Sequence, residues 1–481
     1  MSELCYLSIA EAARLIRTRK LSPLELTRAH LDRIGQLDAT LRSYITVTRE
    51  HALAEAEQAT REIARGRYLG ELHGIPISLK DIIDTAGTRT TAVSALYADR
   101  IPDRDAHVVT RLRAAGAILL GKANLFEFAW APTTEESLFK PSRNPWNIAY
   151  PPGGSSSGSA AGVAAGLAMA SIGSDSGGSI RNPATYCGLT GLKPTYGLVS
   201  RTGVFPLSYS TDTVGPMTRS AEDASILLDA MAGFDPEDRT MQSRPPSLTR
   251  RALKRPVRVR RLGICTPLVE AAGGDRDVLS AFDEALRTFR SLGAEIREVR
   301  LPHVAYAAAA VWTLLRIEGF RVHERRLREH RDRLGAAFFR NTAVGGFLCA
   351  QSYLRAQQAR TLISDELAQA FEEVELLLLP TNPRSASPPS FASEPADPKI
   401  ARSGVAYVTP FNLNGSPAIS IPAGFNSQGM PLGLQIAGRP HADADVLALA
   451  HHYQSQTDWH RRRPPLNSTA GHWTAPGPIR A

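Results

Sequence analysis

Gly173-Ser174-Asp175-Ser176-Gly177-Gly178-Ser179-Ile180-Arg181 lies in the first half of the 481-residue chain. Two glycines directly before a serine suit a sharp turn whose backbone N–H groups converge on one point. Such a turn can hold a developing oxyanion beside an attacking hydroxyl. The same composition also builds an ordinary glycine-rich turn with serine caps, and this segment alone leaves both readings open. Upstream, Gly153-Gly154-Ser155-Ser156-Ser157-Gly158-Ser159 runs into residues 160–169, rich in Ala and Gly. Residues this small let a helix approach its neighbours closely, and a helix start can face an anion. The Gly-Lys-Ser/Thr ending of a phosphate loop is missing, so a tight turn before a crowded helix is the plain alternative. Further upstream, Gly74-Ile75-Pro76-Ile77-Ser78-Leu79-Lys80-Asp81-Ile82-Ile83 sets Lys80 at the end of an apolar strand. It is either a surface residue at a strand end or a buried amine, and burial favours the neutral form that acts as a base. Bringing an amine from about 10.4 to about 7 takes roughly 4 kcal/mol. Desolvation with a nearby guanidinium such as Arg181 would supply that.

Around these segments the chain reads as α/β. Ser8-Ile9-Ala10-Glu11 and Ser22-Pro23-Leu24-Glu25 have capping-box spacing, and a third helix over about 52–65 stops at Gly66. From about 74 to 233 short apolar strands (75–79, 117–120) alternate with helices and glycine turns. Residues 160–172 read as a buried helix. Residues 241–256 are a polar connection. Strands follow at 260–264 and 295–299, with a helix at 278–292 between them. Helical stretches at 305–319 and 335–371 precede a buried strand at 375–380. A Pro/Ser loop spans 385–398. Closing strands come at 418–421 and 432–436, and a last helix begins at 446. The predicted organisation is an N-terminal helical segment (1–70) packed on the core, a single α/β domain (71–465) and a loose C-terminal tail (466–481).

Hydrophobic residues make up 43% and charged residues 21%, which excludes a disordered chain. Four scattered cysteines without a Cys-x-x-Cys pair exclude a disulfide scaffold or zinc module. No apolar run reaches the roughly 20 residues of a membrane helix, and residues 1–17 lack the apolar core of a signal peptide. A cytoplasmic protein without membrane partners is expected. The net charge of +9 raises the question of nucleic acid. The arginines are scattered, however, and the densest runs (321–333, 461–463) are mixed with acids or lie near the C-terminal end. No nucleic-acid motif accompanies them. The expectation is a solvated basic face and no nucleic-acid partner. The seven lysines are few enough that one in an apolar setting is informative. The twelve histidines show no ligand spacing, so no metal is expected.

Taken together, Gly-Ile-Pro-x-x-x-Lys-Asp, Gly-Gly-Ser-Ser-x-Gly-Ser and Asp-x-Gly-Gly-Ser-Ile-Arg, in this order, resemble the amidase signature family. The likeness extends through residues 188–197, Val199-Ser200-Arg201, Asp212 and Val214-Gly215-Pro216-Met217. It reaches Pro410-Phe411-Asn412, Gly415-Ser416-Pro417-Ala418 and Pro431-Leu432-Gly433-Leu434-Gln435 near the C-terminus. The resemblance implies a mixed, twisted central β-sheet covered by α-helices on both faces. It makes Ser179 the nucleophile, Ser155 the bridging serine behind a cis peptide bond, and Lys80 the neutral base. The oxyanion donors would be the N–H groups of Ser176, Gly177, Gly178 and Ser179, with Ser156 in support. No cofactor or metal is implied. Asp175 and Arg181 are read as an ion pair stiffening the turn, in preference to Arg181 meeting a substrate carboxylate.

Trp130, Tyr150, Phe205 and Tyr209, with Trp312, are the aromatic candidates for the substrate pocket. They lead to the expectation of a stand-alone amidase. Its substrate would be a small aryl or alkyl carboxamide, cleaved to acid and amine or ammonia, with carbamates and esters as side activities. The alternative is the glutamine-hydrolysing subunit of a tRNA-dependent amidotransferase. Homodimers occur in the family, and the sequence leaves the oligomeric state open.

Overall fold

The computed structural model describes residues 3–241, 248–254, 261–386 and 404–466. Parts of the expected connection 241–256, strand 260–264 and loop 385–398, and the tail from 467, lie outside the described residues. Eleven strands among the described residues form one mixed sheet: β1 (Tyr44–Val47), β2 (Pro76–Lys80), β3 (Ile118–Ala123), β4 (Ala170–Asp175), β5 (Thr190–Lys193), β6 (Thr213–Thr218), β7 (Arg261–Ile264), β8 (Glu295–Glu298), β9 (Leu376–Pro380), β10 (Ala418–Phe425) and β11 (Pro431–Gly438). Their order is β1-β3-β2-β4-β6-β5-β10-β11-β9-β7-β8. β2 runs parallel to both neighbours, β3 and β4, while β4 and β6 are antiparallel. Every residue of β2, β3, β4, β5, β6 and β9 is buried. A strand covered on both faces reads as a near-continuous apolar run, which is how β2 and β9 look in the sequence.

Both N-terminal capping boxes form. Ser8 and Ser22 each accept from the backbone of the glutamate three residues on, and Pro23 opens the second helix. Ile9, Ile16 and Leu26 from these helices join the same apolar cluster as Ile77 and Leu79 of β2. The segment is not purely helical, because β1 pairs antiparallel with β3. The predicted helix over 160–172 is divided. The helix Ser157–Ala164 ends where Gly166 takes a φ of +72°, and β4 begins at Ala170. A glycine in the left-handed region closes helices in this way. The long stretch 335–371 is likewise two helices, Ala336–Ala343 and Ala350–Glu373.

Small residues place the helix Ser157–Ala164 against Ser43, just before β1, and Asn124, just after β3. A Cβ on Gly158 would meet the Ser43 carbonyl oxygen at 2.3 Å and the Asn124 backbone nitrogen at 2.5 Å. At Gly162, one turn on, the nearest atom would be at 3.5 Å. Gly158→Ala is therefore expected to lower the unfolding free energy by about 1–3 kcal/mol in urea titrations. Gly162→Ala is expected to be neutral or to gain up to about 1 kcal/mol, since alanine is the better helix former.

Candidate active site

Lys80 ends β2 with its side chain fully buried. Its Nζ lies 2.8 Å from Ser155 Oγ and 2.8 Å from Ser174 Oγ. Burial pushes the amine down to about 7, against the opposing pull of Asp175 and Asp212. No guanidinium contributes: Arg181, expected to help, is neutralised by Asp175. The peptide bond between Gly154 and Ser155 is cis, as the motif implied. Glycine suits position 154, because a Cβ there would sit 2.3–2.6 Å from the Phe126 ring, which would have to move.

Ser155 and Ser179 line one cavity of about 200 Å³. The two serine segments are tied by the Ser156 N–H, which donates to the Ser179 carbonyl at 3.3 Å. The Ser179 hydroxyl has no hydrogen-bond partner among the described residues, so the Lys80–Ser155 link is made and the link onward to Ser179 stays open. Ser156 contributes through Ser174: its hydroxyl donates to the Ser174 carbonyl at 3.3 Å. Ser174 itself was not singled out in the sequence. Its signal was its place in β4, directly beside β2.

Asp175 and Arg181 form a buried pair, both side chains 0% exposed, at 3.0 Å. Burial raises the Asp175 carboxyl, but the charge and hydrogen bonds of Arg181 outweigh it and hold the group well below the usual carboxylate range. Arg181 also donates to the Val408 carbonyl, Gln435 Oε1 and Asn412 Oδ1 at 2.8, 2.8 and 2.7 Å. The guanidinium is thus spent inside the protein and does not face a substrate. Asp175 accepts in turn from the N–H groups of Gly178 and Ile180, at 2.8 and 3.2 Å. Of the four expected oxyanion donors, the Gly178 N–H is engaged in this way, whereas those of Ser176, Gly177 and Ser179 make no bond among the described residues. Asp212 takes the Ser176 hydroxyl at 2.5 Å and the N–H groups of Leu207 and Ser208 at 2.8 and 2.9 Å. It thereby ties the turn to a loop that sets Leu207 on the cavity wall.

Of the aromatic candidates, Trp130 lines the cavity, packed on Trp312 with ring centroids 5.0 Å apart. The other three do not line it. Tyr150 joins Trp146 and Met430, with its hydroxyl on Gln428. Phe205 packs between Tyr97 and Phe128, and Tyr209 is 66% exposed; both border a neighbouring cavity of about 410 Å³. Sequence order alone does not say which aromatic side chains reach the serine. The remaining wall comes from residues far along the chain, including Val311, Leu315 and Val405. Among the described residues lining the cavity none is charged, and the polar side chains are serines, Asn182 and Thr409. No group of His, Cys, Asp and Glu among the described residues is arranged to hold a metal ion.

A family model described as Amidase matches residues 25–447. The chain belongs to the amidase signature family. It is a hydrolase of linear amide C–N bonds, on the mixed sheet expected for that family. The chain is 39% identical to a glutamyl-tRNA(Gln) amidotransferase subunit of Geobacter sp. (strain M21), over 96% of this chain and 100% of that protein. The solved glutamyl-tRNA(Gln) amidotransferase subunit from Thermotoga maritima is 32% identical, with a TM-score of 0.78 and 99% of each chain covered. The native peptide amidase from Stenotrophomonas maltophilia is 34% identical, with a TM-score of 0.82 over 95% of this chain and 98% of that one. The full-length likeness to amidotransferase subunits corrects the expectation of a stand-alone amidase for small aryl or alkyl amides. That expectation rested on aromatic residues of which Tyr150 lies away from the cavity and Phe205 and Tyr209 border the adjoining one. The amidotransferase alternative is the better supported. No helix among the described residues is long and apolar enough to cross a membrane.

Replacing Arg181 with methionine keeps the bulk but leaves the Asp175 carboxylate buried without its cation. The expected loss is about 3–5 kcal/mol of unfolding free energy, measured by guanidinium titration.

Proposed function

We propose that this chain hydrolyses the side-chain amide of glutamine through an acyl-enzyme on Ser179, as the amide-cleaving subunit of a cytoplasmic tRNA-dependent amidotransferase. The observation that carries the reading is a buried amine 2.8 Å from the hydroxyl of Ser155, in a chain alike over its full length to glutamyl-tRNA(Gln) amidotransferase subunits.

The chemistry follows from the groups present. Ser174 accepts an N–H of Lys80, which leaves the amine's lone pair for the Ser155 proton. As Ser155 gives up that proton, it takes one from Ser179, whose oxygen attacks the amide carbon. The negative charge that develops on the carbonyl oxygen meets the free N–H groups of Gly177 and Ser179. The proton held by Lys80 returns through Ser155 to the departing nitrogen, and ammonia leaves. Water, deprotonated by the same relay, then releases glutamate. In the assembled enzyme the ammonia passes to the partner that carries the aminoacylated tRNA.

Lys80 must be neutral to act, so protonation stops the reaction. kcat/KM is expected to rise about tenfold per pH unit below about 7 and to level off above it. Lys80→Met should lower kcat by about 100- to 10,000-fold across the range. The reading is tested by ammonia release from glutamine, by the chain alone and with amidotransferase partner proteins, and by fluorophosphonate labelling. Glutamine hydrolysis lost in Ser179→Ala, together with labelling confined to Ser179, is the expected result. Turnover of uncharged amides with no glutamine hydrolysis under either condition would overturn the substrate, and labelling at another residue would overturn the nucleophile.

A further inference from the structure

A groove of about 880 Å³ lies apart from the active site and shares no lining residue with it. Its walls come from the helix Ile9–Arg17, the start of the helix Ala221–Met231, the short helix Thr249–Ala252 and the 3-10 turn Trp459–Arg461. Nine Lys and Arg side chains and four Asp and Glu side chains line it. The excess of five positive charges compares with a net charge of +9 for the whole chain.

The acids are already engaged. Glu11 accepts from the backbone and hydroxyl of Ser8 in its capping box. Glu71 and Glu222 both take Arg250, at 3.1 and 2.7 Å. Asp223 is buried and accepts the Ala10 N–H. Among the cations, Arg462 and Arg463 have Asp458 and Glu3 as partners. Arg14, Arg17, Arg251, Lys254 and Arg461 are exposed and pair with no carboxylate among the described residues. Arg219 adds a guanidinium whose Nη1 is buried without a hydrogen-bond partner among the described residues. Five free cations around one concave surface repel one another, and only an anionic partner with several charges relieves them together.

We propose that this groove binds RNA through its phosphate backbone. Eight of the nine cations are arginines, whose planar forks match phosphate oxygens in pairs. Tyr6 and Tyr68 also line the groove, but their rings are engaged inside the protein, Tyr6 by the guanidinium groups of Arg33, Arg219 and Arg463 and Tyr68 by His73. An acidic polypeptide would meet the same charges and is the alternative that the test separates from RNA. The inference replaces the sequence-based expectation of a solvated basic face. It rests on the groove alone and not on the reading of Ser179.

The test is fluorescence anisotropy of labelled unfractionated transfer RNA titrated with the full chain at 50, 100 and 200 mM KCl. Five phosphate contacts at roughly 0.7 counterions each give a log–log salt slope of about 3.5, or an affinity falling about 100-fold across that range. The variant Arg17→Glu/Arg251→Glu/Lys254→Glu should bind about tenfold more weakly or worse. The single Arg251→Gln should lose about threefold and guards against misfolding of the triple variant. A control, Arg321→Glu/Arg325→Glu, changes exposed arginines outside the groove and should bind as the parent does. Amide hydrolysis should be unchanged in all of them. No binding at 50 mM salt, binding insensitive to salt, or parent-like affinity in the triple variant would overturn the proposal. So would poly-glutamate binding at the groove where RNA does not.

Discussion

Asp175 and Arg181 are charges with no access to water, and such groups are tolerated only when every one of their hydrogen-bonding sites finds a partner. Meeting that demand shapes the centre of the molecule. The carboxylate draws in the N–H groups of Gly178 and Ile180, which winds the turn that carries Ser179. The guanidinium reaches out to Val408, Asn412 and Gln435, which brings the segments after residue 404 against β4. Stability and site geometry are therefore one construction. Its side effect is that the Gly178 N–H is spent on structure, leaving its neighbours to face the cavity.

Lys80 is held neutral by a different means. β2 is covered on both faces, so its last side chain is desolvated before any charge is considered. A low amine pKa does not by itself mark a base, however. Lys193 is also buried and pushed down to about 7, and Lys122 to about 8, for the same principal reason. Lys193 donates to the Pro194 carbonyl, and Lys122 is enclosed by Ile83, Thr85 and Thr90. Lys80 differs in meeting the hydroxyl of Ser155, in the cavity that Ser179 also lines. The two carboxylates nearest in effect, Asp175 and Asp212, pull its pKa up, so dryness has to outweigh them.

Much of the site was legible before folding. Lys80, Ser155 and Ser179 lie in compact motifs whose glycines are needed for local reasons, such as the crowding of Gly154 by Phe126. The capping boxes and the buried strand at 376–380 were equally plain, because propensity, pattern and turn chemistry agree there. The division of 160–172 into a helix and β4 was missed. Small residues suit both states, and Gly166 was not taken as the stop it is. The aromatic wall was only partly legible: Tyr150, Phe205 and Tyr209 are all close in sequence to site motifs, yet Tyr150 packs against Trp146 and the other two border the adjoining cavity. The specialisation within the family was misread with it, since the three motifs carry the shared hydrolysis and not the choice of substrate.

By itself the sequence determined the parts whose cause lies within a few residues: the glycine–serine turns, the lysine at a strand end, the helix starts and the family they spell out. The tertiary structure alone decided which of those parts meet. Lys80 reaches a serine 75 residues away, Arg181 a glutamine 254 residues away. Four separate stretches of cations converge on one groove. Desolvation, charge pairing and cavity shape depend on distances through space, and packing sets those distances among segments whose separation along the chain carries no record of them.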